Sequence, residues 1–492
     1  MSKKRSKFRL MASAPPIIGL LCSSAASSAD LQQWAMEKQA EWEANHAEVE
    51  EFATLHGIPV REELSDGTVI EMQKIENGIP MYYTTNNLAA AITTRTNKLW
   101  EIPVTGAGYG TNVCTTQKLG EWDAGRVDST HPEFGGRVTQ CDSPPPYYSS
   151  HSTHVAGTLI ASGVVPAAKG MAYQAYLAAY DWNNANAQMA IAAAGGMEVS
   201  NHSYGILAGW AFSPSWVPNL RWYGDTLVSP GVSYYFGFYH SITQDWDQIA
   251  YDARNYLIVK SAGNDRDDSR PPNGAEFQIN GVGPILTVDS TSPGHDYQNG
   301  GYDTILPLGV AKNILTVGAV YDVPNYTVPN DVVMSSFSGW GPADDGRIKP
   351  DLVGNGTGLY STIPGDYDSY SGTSMSSPNV AGTLALLQQY YQDLNGSPMR
   401  SATLKALVIH TADETGANDG PDYKFGWGLL NAERAAQVIK ADKDFGGDFH
   451  IKERTLNDAD TFNITVPSSF LELRATIVWT DLPLSPERLF LH

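Results

Sequence analysis

The sequence predicts an α/β fold in which a mostly parallel central sheet is covered by helices. Three observations carry that expectation. From about Leu88 to Ile439, short apolar and β-branched runs such as Tyr256–Lys260 and Ile314–Val320 alternate with helical stretches such as Ser374–Leu394. That alternation is the rhythm of strand–helix–strand units. The chain has 492 residues, 42% hydrophobic and 17% charged, which suffices to bury a large core. No internal repeat or low-complexity tract interrupts it.

The elements follow in order. The first 29 residues contain Lys3, Lys4, Arg5, Lys7 and Arg9 and no acid, then an apolar stretch from Ala12 to Ala26, then Ser27-Ser28-Ala29 before Asp30. A basic start, a short apolar run and small residues at the break form the pattern of a secretory signal peptide over 1–29. Pro15-Pro16 interrupts the run, which is shorter than the ~20 residues a spanning helix needs. A lipid attached at Cys22 would want a small residue before the cysteine, and Leu21 stands there. The expectation is a secreted protein, extracellular or in the cell envelope, with no membrane span in its mature form. Cys114 and Cys141 then remain, and they fit either a disulfide formed in an oxidising compartment or two small buried thiols.

Charge narrows the partners. The chain has 53 acidic and 32 basic residues, a net charge of −21, and loss of the five basic residues of the leader takes it to −26. Such a surface repels phosphate backbones and anionic lipid heads, so nucleic acid is excluded as a partner.

Residues 31–56 are rich in Ala, Glu, Gln and Leu, lack Pro and Gly, and stop at Gly57 with Pro59 beyond, which predicts one helix. Thr68–Tyr83 has strand character around Asn77-Gly78, a strong hairpin signal. Helix and hairpin make a small unit over 30–86. Between Gly205 and Gln244 lies an aromatic-rich insertion, and Pro271–Asp303 is a long Gly/Pro/Asp-rich loop of the length that is usually functional or mobile. After Gly446-Gly447 the runs Thr461–Val466 and Leu471–Trp479 alternate apolar and polar residues, which starts a β segment over 441–492. It falls short of the ~100 residues of a full sandwich and reads as a partial domain, or as an edge packed on the main one.

Three local sequences carry chemistry. They are Trp122-Asp123-Ala124-Gly125, the run His151-Ser152-Thr153-His154-Val155-Ala156-Gly157-Thr158, and Gly372-Thr373-Ser374-Met375-Ser376-Ser377-Pro378. Hydrolysis of an amide needs a nucleophile, a base that takes its proton and hands it to the leaving amine, and a carboxylate that fixes the base's tautomer. Ser374, His151 and Asp123 supply these groups, in a chain order that separates this arrangement from the chymotrypsin and α/β-hydrolase orders. A serine at a helix start also receives free backbone N–H groups and the positive end of the dipole where an oxyanion would form. Gly157 and Gly382 let two helices approach their neighbours closely.

These segments resemble the subtilisin-like serine peptidases, over about Lys118 to Ile439. Gly372–Pro378 is similar to the family's GTSMxxP and His151–Thr158 to its HGTHVAGT. The resemblance implies a subtilisin-like three-layer fold and a secreted serine endopeptidase acting through an acyl-enzyme on Ser374, with His151 as base and Asp123 orienting it. Ser261-Ala262-Gly263-Asn264 resembles the strand end whose asparagine donates to the oxyanion, which gives Asn264 that role. Val199–Gly205 resembles the substrate-pairing strand, so polypeptide substrates would bind extended against Ser203, Tyr204 and Gly205 on one side and Ser261, Ala262 and Gly263 on the other. Phe425–Asn431 resembles the turn that closes the catalytic domain, here 87–440. Leu471–Pro483 is similar to the start of the β-sandwich that follows this domain in a branch of larger bacterial members.

The resemblance also implies that the 30–86 unit is a propeptide, a zymogen segment bound by its own enzyme. No cofactor is required for the chemistry. Structural calcium is frequent in the family, and Asp265, Asp267 and Asp268 are candidates without an assigned ligand set. Two positions depart from the family pattern. Ser152 replaces a glycine after the base, and Glu121 puts a carboxylate where the strand is normally apolar. With the aromatic insertion they motivate one alternative, a non-catalytic surface or binding protein on this scaffold; a second alternative is a narrow-specificity processing peptidase rather than a degradative one.

Overall fold

The computed structural model describes residues 28–63, 69–76, 79–85, 91–297, 299–455, 461 and 473–485. The signal-peptide reading therefore lies, but for its last two residues, outside them. In chain order the helices and strands are α1 (Ser28–His56), β1 (Arg61–Glu63), β2 (Val69–Glu76), β3 (Ile79–Thr85), α2 (Thr96–Glu101), β4 (Leu119–Asp123), β5 (Val138–Gln140), α3 (Ser150–Ile160), β6 (Leu177–Asp181), α4 (Ala185–Ala194), β7 (Val199–His202) and β8 (Tyr204–Ile206). There follow β9 (Gly209–Phe212), β10 (Leu220–Tyr223), α5 (Ser241–Asp252), β11 (Leu257–Ser261), β12 (Glu276–Ile279), β13 (Leu286–Thr287), β14 (Leu315–Val320), β15 (Leu352–Asn355), β16 (Leu359–Ile363), β17 (Asp366–Tyr370), α6 (Thr373–Asn395), α7 (Ser401–Thr411) and α8 (Ala432–Asp444).

Seven strands form the central sheet in the order β15-β14-β11-β7-β4-β6-β5, every neighbouring pair parallel. Parallel strands need crossovers, and the crossover helices cover both faces. This is why β4, β6, β11 and β14 are buried along their whole length. Alternate residues divide between two cores. Leu119, Val199, Val259 and Val317 meet Val155 of α3 and Leu384 of α6, while Trp122, Tyr180 and Ile258 meet Ala187 of α4 and Trp246 of α5. The helices approach closely where side chains are missing. A Cβ on Gly157 would lie 2.2 Å from Thr362 Oγ1, and one on Gly382 would lie 2.7 Å from Met171 Cβ.

From β4 the chain first builds the β5–β6 side, then crosses back to β7 and continues outward through β11, β14 and β15. The strand order reverses at the β4–β7 pair, and in open α/β sheets the crevice at the carboxyl ends of such strands is where ligands bind.

The N-terminal unit is an antiparallel sheet β1-β2-β3 whose last strand pairs with β8. The hairpin signal at 77–78 lies outside the described residues, and the flanking strands pair from Glu76↔Ile79 outward. α1 stops at Gly57, with φ +65°, a conformation glycine adopts without the clash of a Cβ. The insertion and the long loop need a correction. Part of each is strand, and β10 pairs in parallel with β12 across the two segments, giving a second sheet β13-β12-β10-β9. A pairing between positions so far apart leaves no local signature.

Cys114 and Cys141 form a disulfide, with Cα atoms 5.6 Å apart. Of the C-terminal β segment, 462–472 lies outside the described residues. Residues 473–485 carry no ladder pairing among them. They dock on the main domain, where Asp481 N–H donates to Asn313 Oδ1 at 2.8 Å and Asn313 Nδ2 donates back to the Asp481 carbonyl at 2.7 Å. Among the described residues no helix is long and apolar enough to cross a membrane.

Candidate active site

Asp123 ends β4, and its carboxylate collects donors. His151, in the first turn of α3, donates its ring Nδ1–H to Asp123 Oδ1. The Ala124 N–H reaches the same oxygen at 2.7 Å and the Ser152 hydroxyl at 3.3 Å. A carboxylate only accepts, so Nδ1 carries a proton, and in the neutral ring Nε2 is then the nitrogen with the lone pair. Ser149 caps α3 by accepting the Ser152 N–H at 3.1 Å, which sets the start of the helix and the direction of His151. Ser152 thus departs from the family pattern without intruding. It adds a donor to the buried aspartate.

Ser374 is the second residue of α6, and its hydroxyl donates to the Ser203 carbonyl at 2.8 Å. The Ser203 hydroxyl in turn donates to the Ser374 carbonyl at 2.6 Å. That carbonyl would ordinarily accept from the N–H four residues on, but Pro378 stands there and has none. Proline inside the helix therefore frees an acceptor that locks α6 to the end of β7. Ser377 Oγ reaches Asn201 Oδ1 at 2.7 Å, a third hydrogen bond between α6 and this strand end, and Asn201 Nδ2 holds Ser203 Oγ at 2.9 Å. Sequence reasoning missed this lattice, and Pro378 four residues after Ser374 was its one legible sign.

Asn264 follows β11. Its Oδ1 accepts both the N–H and the hydroxyl of Thr373 at 2.9 Å. Because a backbone N–H can only donate, the amide is oriented with its oxygen toward Thr373 and its NH2 turned away. Gly263 N–H donates to Thr373 Oγ1 at 3.1 Å, so Thr373 clamps the end of β11 to the start of α6. The remaining expected residues form the two walls nearby. Ser203, Tyr204 and Gly205 lie at the β7–β8 junction, with Tyr204 opposite Thr85 and Gly205 opposite Thr84 of β3. Ser261 and Ala262 are buried at the end of β11, where Ala262 N–H reaches the Val317 carbonyl at 2.9 Å.

The surroundings are rich in buried charge. Glu121 is fully buried two residues before Asp123, and neither of its oxygens has a hydrogen-bond partner among the described residues. Burial first, and the Asp123 charge second, push its carboxyl well above the usual range, so it is neutral. Lys260 is fully buried and donates to both the carbonyl and the hydroxyl of Ser261 at 2.6 Å. Burial brings it down to about 7, against the pull of Asp265. His154 is also buried, stacked on Tyr370 at 5.0 Å. Burial lowers it to about 3 and keeps it neutral. Neither of its ring nitrogens has a hydrogen-bond partner among the described residues. Asp265 accepts the Asn264 N–H at 3.1 Å and Asp267 the Ser336 hydroxyl at 2.6 Å. No group of three or more His, Cys, Asp or Glu is placed to hold a metal ion among the described residues.

Comparison with known proteins fits this arrangement. The model of the subtilase family matches residues 126–428, more than half of the chain. The chain belongs to the subtilase family. Among curated relatives, this subtilase is 27% identical over 368 residues to fervidolysin of Fervidobacterium pennivorans, covering 70% of the chain and 42% of that protein. It is 32% identical over 168 residues to pyrolysin of Pyrococcus furiosus, 27% of the chain and 11% of the relative. It is 35% identical over 145 residues to the C5a peptidase of Streptococcus pyogenes, 27% of the chain and 12% of the relative. The match thus covers less than half the length of each of these relatives.

Proposed function

We propose that this subtilase is an exported serine endopeptidase that hydrolyses polypeptides through an acyl-enzyme on Ser374. The observation that carries the reading is the His151–Asp123 hydrogen bond at the switch point of the sheet, because it leaves Nε2 as the basic atom. His151 takes the Ser374 proton as the hydroxyl attacks the scissile carbonyl, and Asp123 stabilises the imidazolium that results. The oxyanion forms at the N-terminus of α6, where the positive end of the helix dipole and the Asn264 NH2 receive it. His151 then passes the proton to the leaving amine, and water deacylates the ester by the reverse steps.

Substrate would lie along the edge of β8, in the crevice between Ser203–Gly205 and Ser261–Gly263. The chain's own β3 lies on that edge, antiparallel, with Thr85 opposite Tyr204. This supports reading the 30–86 unit as a propeptide that holds the substrate groove and is cut after folding. The Cys114–Cys141 disulfide supports export, since such bonds persist in oxidising compartments.

Ser374→Ala should abolish both peptide hydrolysis and labelling by a serine-reactive phosphonate, with folding intact by circular dichroism. Turnover in that variant near the wild-type rate would end the assignment.

A further inference from the structure

Arg61 of the N-terminal unit ends in a socket built by the rest of the chain. Its Nη1 donates to Asp181 Oδ2 at 3.3 Å, and its Nη2 donates to the Ala124 carbonyl. The guanidinium carbon lies 5.8 Å from the ring centre of Trp182 and 5.9 Å from that of Tyr147, within reach of a cation over an aromatic face. Gly125 makes the room. Its φ is +115°, and a Cβ there would lie 2.9 Å from Arg61 Nη2. The socket groups come from the turn after β4, the end of β6 and the loop before α3, and bonds that do not involve Arg61 hold them. Asp181 N–H donates to Asp142 Oδ2 at 2.7 Å, while Asp181 Oδ1 accepts the Asn183 N–H at 2.9 Å and the Asn183 Nδ2 at 2.6 Å. Trp182 N–H donates to the Asp123 carbonyl at 2.8 Å, and Asp181 stands opposite Asp123 in the ladder. The socket is therefore fixed to the strand end that carries Asp123.

We propose that this socket is a recognition site for an arginyl side chain, filled by Arg61 while the N-terminal unit is in place and by an arginine of the polypeptide substrate once the unit has gone. The inference rests on the endopeptidase and propeptide readings above. Carboxylate, carbonyl oxygen and ring faces all attract a cation, and two acceptors beside flat walls suit a planar guanidinium better than a compact ammonium. Departure of the unit takes the cation away and leaves these acceptors where they are. The socket lies outside the crevice that holds the scissile strand, because β2 and β3 stand between β1 and β8. Arg61 already fills it during self-cleavage, so the expected window Thr84–Leu88 can lack basic residues, as it does.

The test uses the mature enzyme and a set of long fluorogenic peptides, each with a single arginine at a different position and no other basic residue. Matching peptides carry citrulline there, which keeps the shape and removes the charge. At one position or more, arginine should give the wild type a kcat/KM ~10-fold or more above citrulline, as a charge-assisted hydrogen bond would. Excess agmatine, which presents the guanidinium alone, should erase that advantage. In Asp181→Asn the ratio of arginine to citrulline should fall close to one, whatever the overall rate. If that variant does not fold, Tyr147→Leu, on a half-exposed ring, should cut the advantage by ~2-fold or more. Hydrolysis with no such position overturns the proposal and leaves the endopeptidase reading standing, and so does an advantage that survives agmatine or these substitutions. Absence of any hydrolysis together with absence of phosphonate labelling refutes the endopeptidase reading itself and the proposal with it.

Discussion

Replacing Glu121 by leucine should make the folded chain more stable, and by an amount that grows with pH. Glu121 lies in the middle of β4, opposite Ala179 of β6 and Asn201 of β7, with no solvent exposure and neither oxygen hydrogen-bonded among the described residues. A neutral polar group buried in this way costs ~1–3 kcal/mol. Leucine has similar bulk and no polar atoms, so most of that cost should return as stability. At about 2.1 cal/mol/K of unfolding entropy per residue, the gain amounts to roughly 1–3 °C in Tm for a domain of this size. The pH dependence has a definite sign. The folded carboxyl titrates well above the usual range, so at acidic pH both folded and unfolded chains hold the proton and nothing is lost. As pH rises past the ordinary carboxylate range the unfolded chain ionises and the folded chain does not. The wild type then loses stability at up to about 1.4 kcal/mol per pH unit until Glu121 itself ionises. Urea unfolding of Ser374→Ala and of Glu121→Leu/Ser374→Ala, at pH 5 and pH 8, measures the effect without self-digestion. A double variant less stable by more than ~1 kcal/mol, or a gap equal at the two pH values, would show that the carboxyl is ionised or partnered and would refute the reasoning.

Asn264→Ala should lower kcat by ~10²–10³ with little change in KM, because the donor acts only as charge grows on the substrate oxygen; a loss confined to KM on one chromogenic peptide would remove Asn264 from the oxyanion site. N-terminal sequencing of active secreted protein should place its first residue within Thr84–Leu88, and a start at Asp30 would make the N-terminal unit a permanent subdomain.

How much could be read from the sequence differs by element. The parallel sheet was legible because each strand of a buried sheet is an apolar run and each crossover a helix, local patterns that need no partner. Asp123, His151 and Ser374 stand out because each lies in a distinctive short segment. The second sheet was not legible, since β10 and β12 have only a few residues each and pair across more than fifty positions. The Ser203–Ser374 exchange and the Thr373 clamp on Asn264 are contacts between backbone groups and common small residues, which no motif marks. Glu121 and Ser152 could be noticed but not interpreted from the sequence. Whether an odd residue clashes, pairs or stays neutral depends on what the neighbouring strands bring to it, and here one became a donor to Asp123 and the other a neutral acid.

The pairing of β3 with β8 has a consequence in timing. Two strands of one folded chain meet at an effective concentration on the order of millimolar, so a polypeptide at about 1 μM competes at a disadvantage of roughly a thousandfold. An edge can hold one partner at a time. In the endopeptidase reading, a folded copy that still carries its N-terminal unit is silent toward substrate at micromolar concentration. The clock that starts it is the severing and departure of that unit, a step that does not run backwards.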